Sequence, residues 1–264
     1  MTAAITRGIV RAHVDGIVTS CSVLGNCEDL DETARALRDT PALGAGAHLT
    51  LATGAPVSPP QHVPSLVDET GRFASGWRHL LPRLSRMRAS DIEREFDAQL
   101  ERLRAAGIAL DHVDTHQHIG MWPSVRAIVH RAAARHGIPA TRRALAKPFA
   151  WTTRPGRAMA ASLLRALRRE SGDARGAAIT WGFEQSGRLN EAALLEIVRR
   201  LGPGDHELLC HPGSAAETVP ADPTWRYDWL GELAALTSPS VRSALSDAGV
   251  VLCRWADLRQ GAVR

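Results

Sequence analysis

Apolar residues recur at Ile5, Ile9, Val10 and Val14, the spacing of one helix face, and the stripe stops at Asp15-Gly16. Residues 17–24 follow as an apolar, β-branched run that predicts a buried strand. The pattern then returns to helix over 28–38, stopping near Pro41, and to strand over 44–51, with His48 toward the strand's C-terminal end. Residues 53–75 carry Gly54, Pro56, Pro59, Pro60, Pro64 and Gly71 and read as one long loop. A loop of that length inside a compact domain is often functional. Ser90-Asp91-Ile92-Glu93 has the capping-box form and predicts a helix of about four turns up to Gly107. A short strand over 110–115 runs into His116-Gln117-His118, and a helix over 123–136 has Pro123 in its first turn and Gly137 as its stop. Further strands are expected over 138–141, 177–180, 207–210 and 250–253, and further helices over 157–170, 189–201, 226–237 and 240–247.

Strands that alternate with helices favour a parallel sheet with helices packed around it. Three of these strands end in, or just before, a histidine: His48, His116 and His211. In a β/α barrel the C-terminal ends of the strands converge on one face, where the chemistry sits. The predicted fold is therefore α/β, a distorted β/α barrel, with residues 1–264 as a single domain. No internal repeat or linker divides the chain.

Composition narrows the class. The chain has 264 residues, 44% apolar and 23% charged, ordinary values for a globular domain. No run approaches the ~18 apolar residues of a membrane span. The first residues lack a basic segment followed by an apolar run, so no signal peptide is expected and the predicted location is the cytoplasm. The net charge is +4, carried almost wholly by arginine, with Lys147 the only lysine. The densest cluster, Arg165 to Arg169, falls in a helical pattern with Leu163, Leu164 and Leu167 and reads as a solvated face. No aromatic platform accompanies it, so no nucleic-acid partner is expected. Cys21, Cys27, Cys210 and Cys253 form no C-x-x-C pair and are expected as reduced, buried thiols.

The strongest local chemistry is Asp111-His112-Val113-Asp114-Thr115-His116-Gln117-His118. Strand alternation would place Asp114, His116 and His118 on one side. An H-x-H pair beside a carboxylate suits a divalent ion, though a hydrogen-bonded polar strand end has the same appearance. His48 follows Gly44-Ala45-Gly46-Ala47, small residues that admit a close approach; taken alone it reads as a core histidine. His211, in Cys210-His211-Pro212-Gly213, is a candidate general acid or base, or an ordinary turn histidine. Trp122, just after the histidine cluster, is a candidate wall of a substrate cleft. The remaining histidines, His112 among them, read as surface, loop or structural. No G-x-S-x-G elbow, phosphate loop or H-E-x-x-H helix is present.

Taken in order, Gly16-Ile17-Val18-Thr19-Ser20, Gly46-Ala47-His48-Leu49-Thr50-Leu51, the 112–118 segment, Cys210-His211-Pro212-Gly213, Leu236-Thr237-Ser238-Pro239 and Gly249-Val250-Val251-Leu252 resemble the YdjC-type carbohydrate deacetylases, including the chitooligosaccharide deacetylases and the hopanoid-biosynthesis branch. The resemblance runs along nearly the whole chain. It implies a β/α barrel that removes acetyl groups from N-acetylated sugars with one divalent metal ion, magnesium or zinc. It implies His48 and His116 as metal ligands, Asp114 as an acidic residue of the catalytic site that stands beside the ligands and not on the metal, and His211 in proton transfer or substrate contact; His118 and Trp122 are the candidate substrate-binding residues. The implied partner is an N-acetylated oligosaccharide or glycolipid headgroup, with a homodimer left open. Two departures stand out. The family's Asp-Asp-Phe-Gly motif on a first strand, which supplies a carboxylate ligand and the presumed base, has no counterpart before Ala3, and Gly120 stands where a third histidine is common. The expectation is a chain without that strand and severely impaired in activity. Two other readings stay open: a different barrel metallohydrolase, an amidohydrolase or phosphoesterase, and a non-catalytic sugar-binding remnant. The former usually carries H-x-H on its first strand rather than mid-chain.

Overall fold

The computed structural model describes residues 2–74, 77–142, 179–215 and 227–259. Its centre is a four-stranded parallel sheet in the order β1 (Ser20–Leu24), β2 (Gly44–Leu49), β3 (Leu110–Thr115), β4 (Ala140–Thr141). A second parallel pair joins β5 (Ile179–Trp181) and β6 (His206–Leu208). Helices α1 (Ala3–Val14), α2 (Leu30–Asp39), α3 (Trp77–Leu84), α4 (Ala89–Ala105), α5 (Pro123–Arg135), α6 (Glu191–Arg199), α7 (Trp229–Leu236) and α8 (Pro239–Asp247) lie before, between and after the strands. The α/β class with a parallel sheet is as the sequence predicts. The helix expected over 157–170 lies outside the described residues. No helix among the described residues is long and apolar enough to cross a membrane.

Two apolar clusters hold these elements. One packs α2, α4 and α5 on the sheet through Val23, Ala47, Leu49, Phe96, Leu100, Val113 and Ile128, all buried. The other gathers Ala12, Ile17, Trp181, Leu194, Leu236 and Val241 from α1, β5, α6, α7 and α8. Helix α1 turns a face other than its isoleucine stripe to the protein. Thr6, Gly8 and Ala12 are its buried residues, while Ile5 and Ile9 line a cavity of about 500 Å³. Gly8 is there for closeness: a Cβ would meet the Gly213 backbone at 2.4 Å.

The same cavity borders β1, whose outer edge carries no strand partner among the described residues. The strand expected over 250–253 is absent; those residues form no ladder. The chain there is tied to β1 by side chains instead. Thr19 Oγ1 donates to the Cys253 carbonyl at 2.7 Å, and the Trp255 amide donates to Ser20 Oγ at 3.4 Å. An apolar run does not make a strand when no backbone edge is aligned to receive it.

Of the long segment expected as a loop over 53–75, the described residues 53–74 form a loop with one 3₁₀ turn at Pro60–His62. Its order comes from α4. Asp91, Glu95 and Gln99 recur every four residues and so share one face of the helix; all three are buried. Gln99 brackets Thr50 with two hydrogen bonds, at 3.0 and 2.8 Å. Glu95 accepts the Val57 and Ser58 amides, both at 2.9 Å, and Asp91 accepts the Ser65 amide and hydroxyl. The helix does not open on the expected capping box: it starts at Ala89 after Arg88, and Asp91 is engaged by the loop. Glu95→Ala would leave the two loop amides and one of the two Gln99 Nε2 hydrogens without an acceptor, at about 1–3 kcal/mol per stranded group. The expected outcome is a clear fall in the urea midpoint, with proteolytic cleavage of the 53–74 loop under native conditions. An unchanged midpoint would show that water replaces the carboxylate.

Candidate active site

Strands β2 and β3 are parallel neighbours in a register that sets His48 beside Asp114. The Asp114 carboxylate reaches His48 Nδ1 at 2.6 Å. A carboxylate can only accept, so Nδ1 carries the proton and the Nε2 lone pair of His48 faces away from it. That Nε2 meets Nδ1 of His116 at 3.3 Å, with the two rings edge-on. His48 and His116 are thus brought together from two strand ends, as the sequence predicts.

Asp114 is 3% exposed, and every neighbour works to keep it charged. Burial pushes its carboxyl upward, but the Arg142 charge and the His48 hydrogen bond hold it well below the usual carboxylate range. Arg142 pairs with Asp114 through Nη1 and with Glu207 through Nε, the latter at 2.6 Å. Ser22 Oγ donates to Asp114 Oδ2 at 3.0 Å. Both oxygens are therefore occupied, and Asp114 orients its neighbours instead of presenting a bare base. Burial holds His116 well below the ordinary imidazole range, so it is neutral at pH 7. Burial and Arg142 lower His118 to about 3.

The other candidates are dispersed. Strand β3 ends at Thr115, and the chain turns into a 3₁₀ segment, His116–Met121, with Gln117 and His118 at φ of 52° and 54°. Gly120 closes this turn by donating to Thr115 Oγ1 at 2.8 Å; a Cβ on it would sit 2.9 Å from that oxygen. The alternation expected through His118 therefore fails, and its ring packs against Phe183, centroids 5.0 Å apart. Trp122 caps α5 at 36% exposure and is not among the cavity residues. His211 does line the cavity. Its amide donates to the buried Glu232 at 2.6 Å, and its ring stands edge-on to Tyr227. Arg142 and Glu207 were missed from sequence, although Arg142 directly follows β4, the position already used to single out histidines.

The four cysteines are free; Cys27 is buried and the others half-buried. Burial, with Asp111 and Asp114 nearby, pushes the Cys21 thiol up to about 12, and burial raises Cys210 too. Neither offers a thiolate at neutral pH. The imidazole pair does suit a metal. Two nitrogens each ~2.0–2.1 Å from one zinc ion at a tetrahedral angle lie about 3.3 Å apart, the separation found between His48 and His116. Among the described residues no group of three or more His, Cys, Asp or Glu side chains is gathered for an ion. The fit is thus to two ligands of a metal site.

Residues 1–247 match the family model described as YdjC-like protein. A carbohydrate deacetylase of Brevibacillus brevis is 30% identical over 258 residues, covering 96% of this chain and 94% of that protein. A carbohydrate deacetylase of Geobacillus stearothermophilus is 29% identical over 254 residues, covering 96% and 91%. A crystal structure from Enterococcus faecalis V583, of a protein assigned provisionally to cellobiose-phosphate cleavage, superposes with a TM-score of 0.77 at 23% identity, over 97% of this chain and 93% of that one.

Arg142→Met tests the electrostatics. Removing one partner of a buried pair costs about 3–5 kcal/mol, so the variant should unfold at markedly lower urea than the parent at pH 7. The sign follows from Asp114: a carboxyl held low when folded contributes stability above about pH 4 and loses it as pH falls through the folded value. Without Arg142 that contribution shrinks, so parent and variant should differ by a constant amount above about pH 4 and converge as the pH falls below it. A gap independent of pH would assign the loss to packing instead.

Proposed function

The chain belongs to the YdjC-like family, and from that premise we propose that it hydrolyses the acetamide of N-acetylated carbohydrates at the His48–His116 site, with one divalent metal ion. The observation that carries the reading is the 3.3 Å meeting of His48 Nε2 and His116 Nδ1 at the edge of the cavity. The names of the Brevibacillus and Geobacillus relatives support the reaction and the substrate class.

His48 and His116 would hold the ion, zinc or magnesium, with two imidazoles favouring zinc. When bound, such an ion lowers the pKa of water toward ~7 and polarises a carbonyl oxygen. The chain's own residues do the rest. Asp114 fixes the His48 tautomer, and Arg142 keeps Asp114 ionised. His211, held by Glu232 through its amide, lines the same cavity and is the group that gives a proton to the departing sugar nitrogen. Tyr227 packs edge-on against the His211 ring and orients it.

Two protein ligands are fewer than the roughly three of a catalytic zinc site. With two alone, the ion is held loosely and turnover is slow. The acetamide-bearing sugar is the same in a soluble oligosaccharide and in a hopanoid glycolipid headgroup, so both substrates test the reaction and their ratio identifies the natural one.

Acetate release from chitobiose-type oligosaccharides should require added divalent ion and stop on chelation. His116→Ala should abolish it, and His211→Ala should lower kcat by about 10²–10⁴-fold. Zinc binding by calorimetry without any acetate release would contradict the deacetylase reading in favour of a sugar-binding chain. Phosphate release from phosphorylated sugars would favour a phosphoesterase.

A further inference from the structure

Behind His48 the hydrogen bonds continue into the barrel. Asp111 Oδ1 meets His112 Nδ1 at 2.5 Å, His112 Nε2 meets Ser22 Oγ at 3.1 Å, and Ser22 Oγ donates to Asp114 Oδ2 at 3.0 Å. We propose that Asp111, His112 and Ser22 are positioning residues that lock the Asp114 carboxylate, and through it turn His48 Nε2 toward the ion. The proposal rests on the metal reading above and names who enforces it.

The sequence builds this chain deliberately. His112 is 1% exposed, and its ring stacks on Trp255 at 5.2 Å and 17° between planes. Space for the ring comes from Gly46 on the neighbouring strand, where a Cβ would lie 2.3 Å from the imidazole. Gly44 does the same for Asp111, where a Cβ would lie 2.9 Å from Oδ2. The small residues before His48 therefore admit the next strand's side chains, not a ligand. With the ring clamped between Trp255 and Gly46, Ser22 has one position in which to meet both His112 and Asp114.

Ser22, His112 and Asp111 have the spacing of a nucleophilic triad, but the direction of the protons argues otherwise. Ser22 has a single proton and gives it to Asp114. The one Ser22 proton cannot serve both Asp114 and His112, and its bond to Asp114 holds the hydroxyl beside a buried carboxylate. The neighbouring Asp114 charge also opposes an oxyanion forming on Ser22. The group orients; it does not attack.

Removing an outer partner of a ligating histidine typically weakens metal affinity by about 10–100-fold. For His48 that partner is Asp114, and Ser22 stands one bond further out, so Ser22→Ala should weaken zinc binding by up to about tenfold in calorimetry with zinc chloride. In the metal-free protein, the ¹⁵N signals of His48 should move from a single Nδ1–H tautomer toward a mixture. Ser22→Thr, which keeps the hydroxyl, should restore both, and Asp111→Asn should reproduce the Ala effect in weaker form. Unchanged zinc affinity and unchanged His48 signals in Ser22→Ala would overturn the proposal. So would covalent labelling of Ser22 by a fluorophosphonate, which would make it a nucleophile. Neither readout needs sugar hydrolysis, so a chain that binds zinc in this way but releases no acetate counts against the deacetylase reading alone.

Discussion

An ionised carboxylate at 3% exposure, such as Asp114, survives only where charge and hydrogen bonds replace the water it has lost. Here the replacements come from two strands and a strand end: His48 from β2, Ser22 from β1 and Arg142 after β4. Asp114 itself stands on β3. The ion pair with Arg142 is the constraint on which the site depends, because it fixes the carboxylate that fixes His48. It also ties the main sheet to β6 through Glu207, across the space between the four-stranded sheet and the strand pair.

From that anchor the rest of the site follows by geometry. The parallel register of β2 and β3 sets a histidine beside an aspartate, and the end of β3 brings a second histidine within 3.3 Å of the first. Burial keeps His116 neutral, which a metal ligand requires. The cavity then supplies room beside the pair and His211 on its wall. The apolar part of the cavity is lined by Ile5, Ile9 and the open side of β1, so the polar site and the unpaired sheet edge share one space.

Much of this was legible in the sequence because strand ends announce themselves. Apolar runs that stop at a polar residue mark the C-terminal ends of β2 and β3, and His48, Asp114 and His116 were found by that rule. His118 was placed wrongly by the same rule, because strand alternation ends at Thr115, where the chain enters a left-handed turn at Gln117 and His118. Arg142 was hidden among many arginines, and nothing in a single sequence separates a buried guanidinium from a solvated one. His112 looked structural, and it is; its partners Ser22 and Asp111 could not be read, since their meeting depends on strand register and on the space left by Gly44 and Gly46. The last expected strand failed because residues 250–253 have apolar side chains but no aligned backbone edge.

The central claim is that one ion is shared by His48 and His116. X-ray absorption of the protein loaded with one equivalent of zinc reports the ligands directly. Two imidazole nitrogens at about 2.0–2.1 Å, one of them lost in His48→Ala, is the result expected. A spectrum dominated by sulfur at about 2.3 Å, or one unaltered by His48→Ala, would place the metal elsewhere and contradict the account.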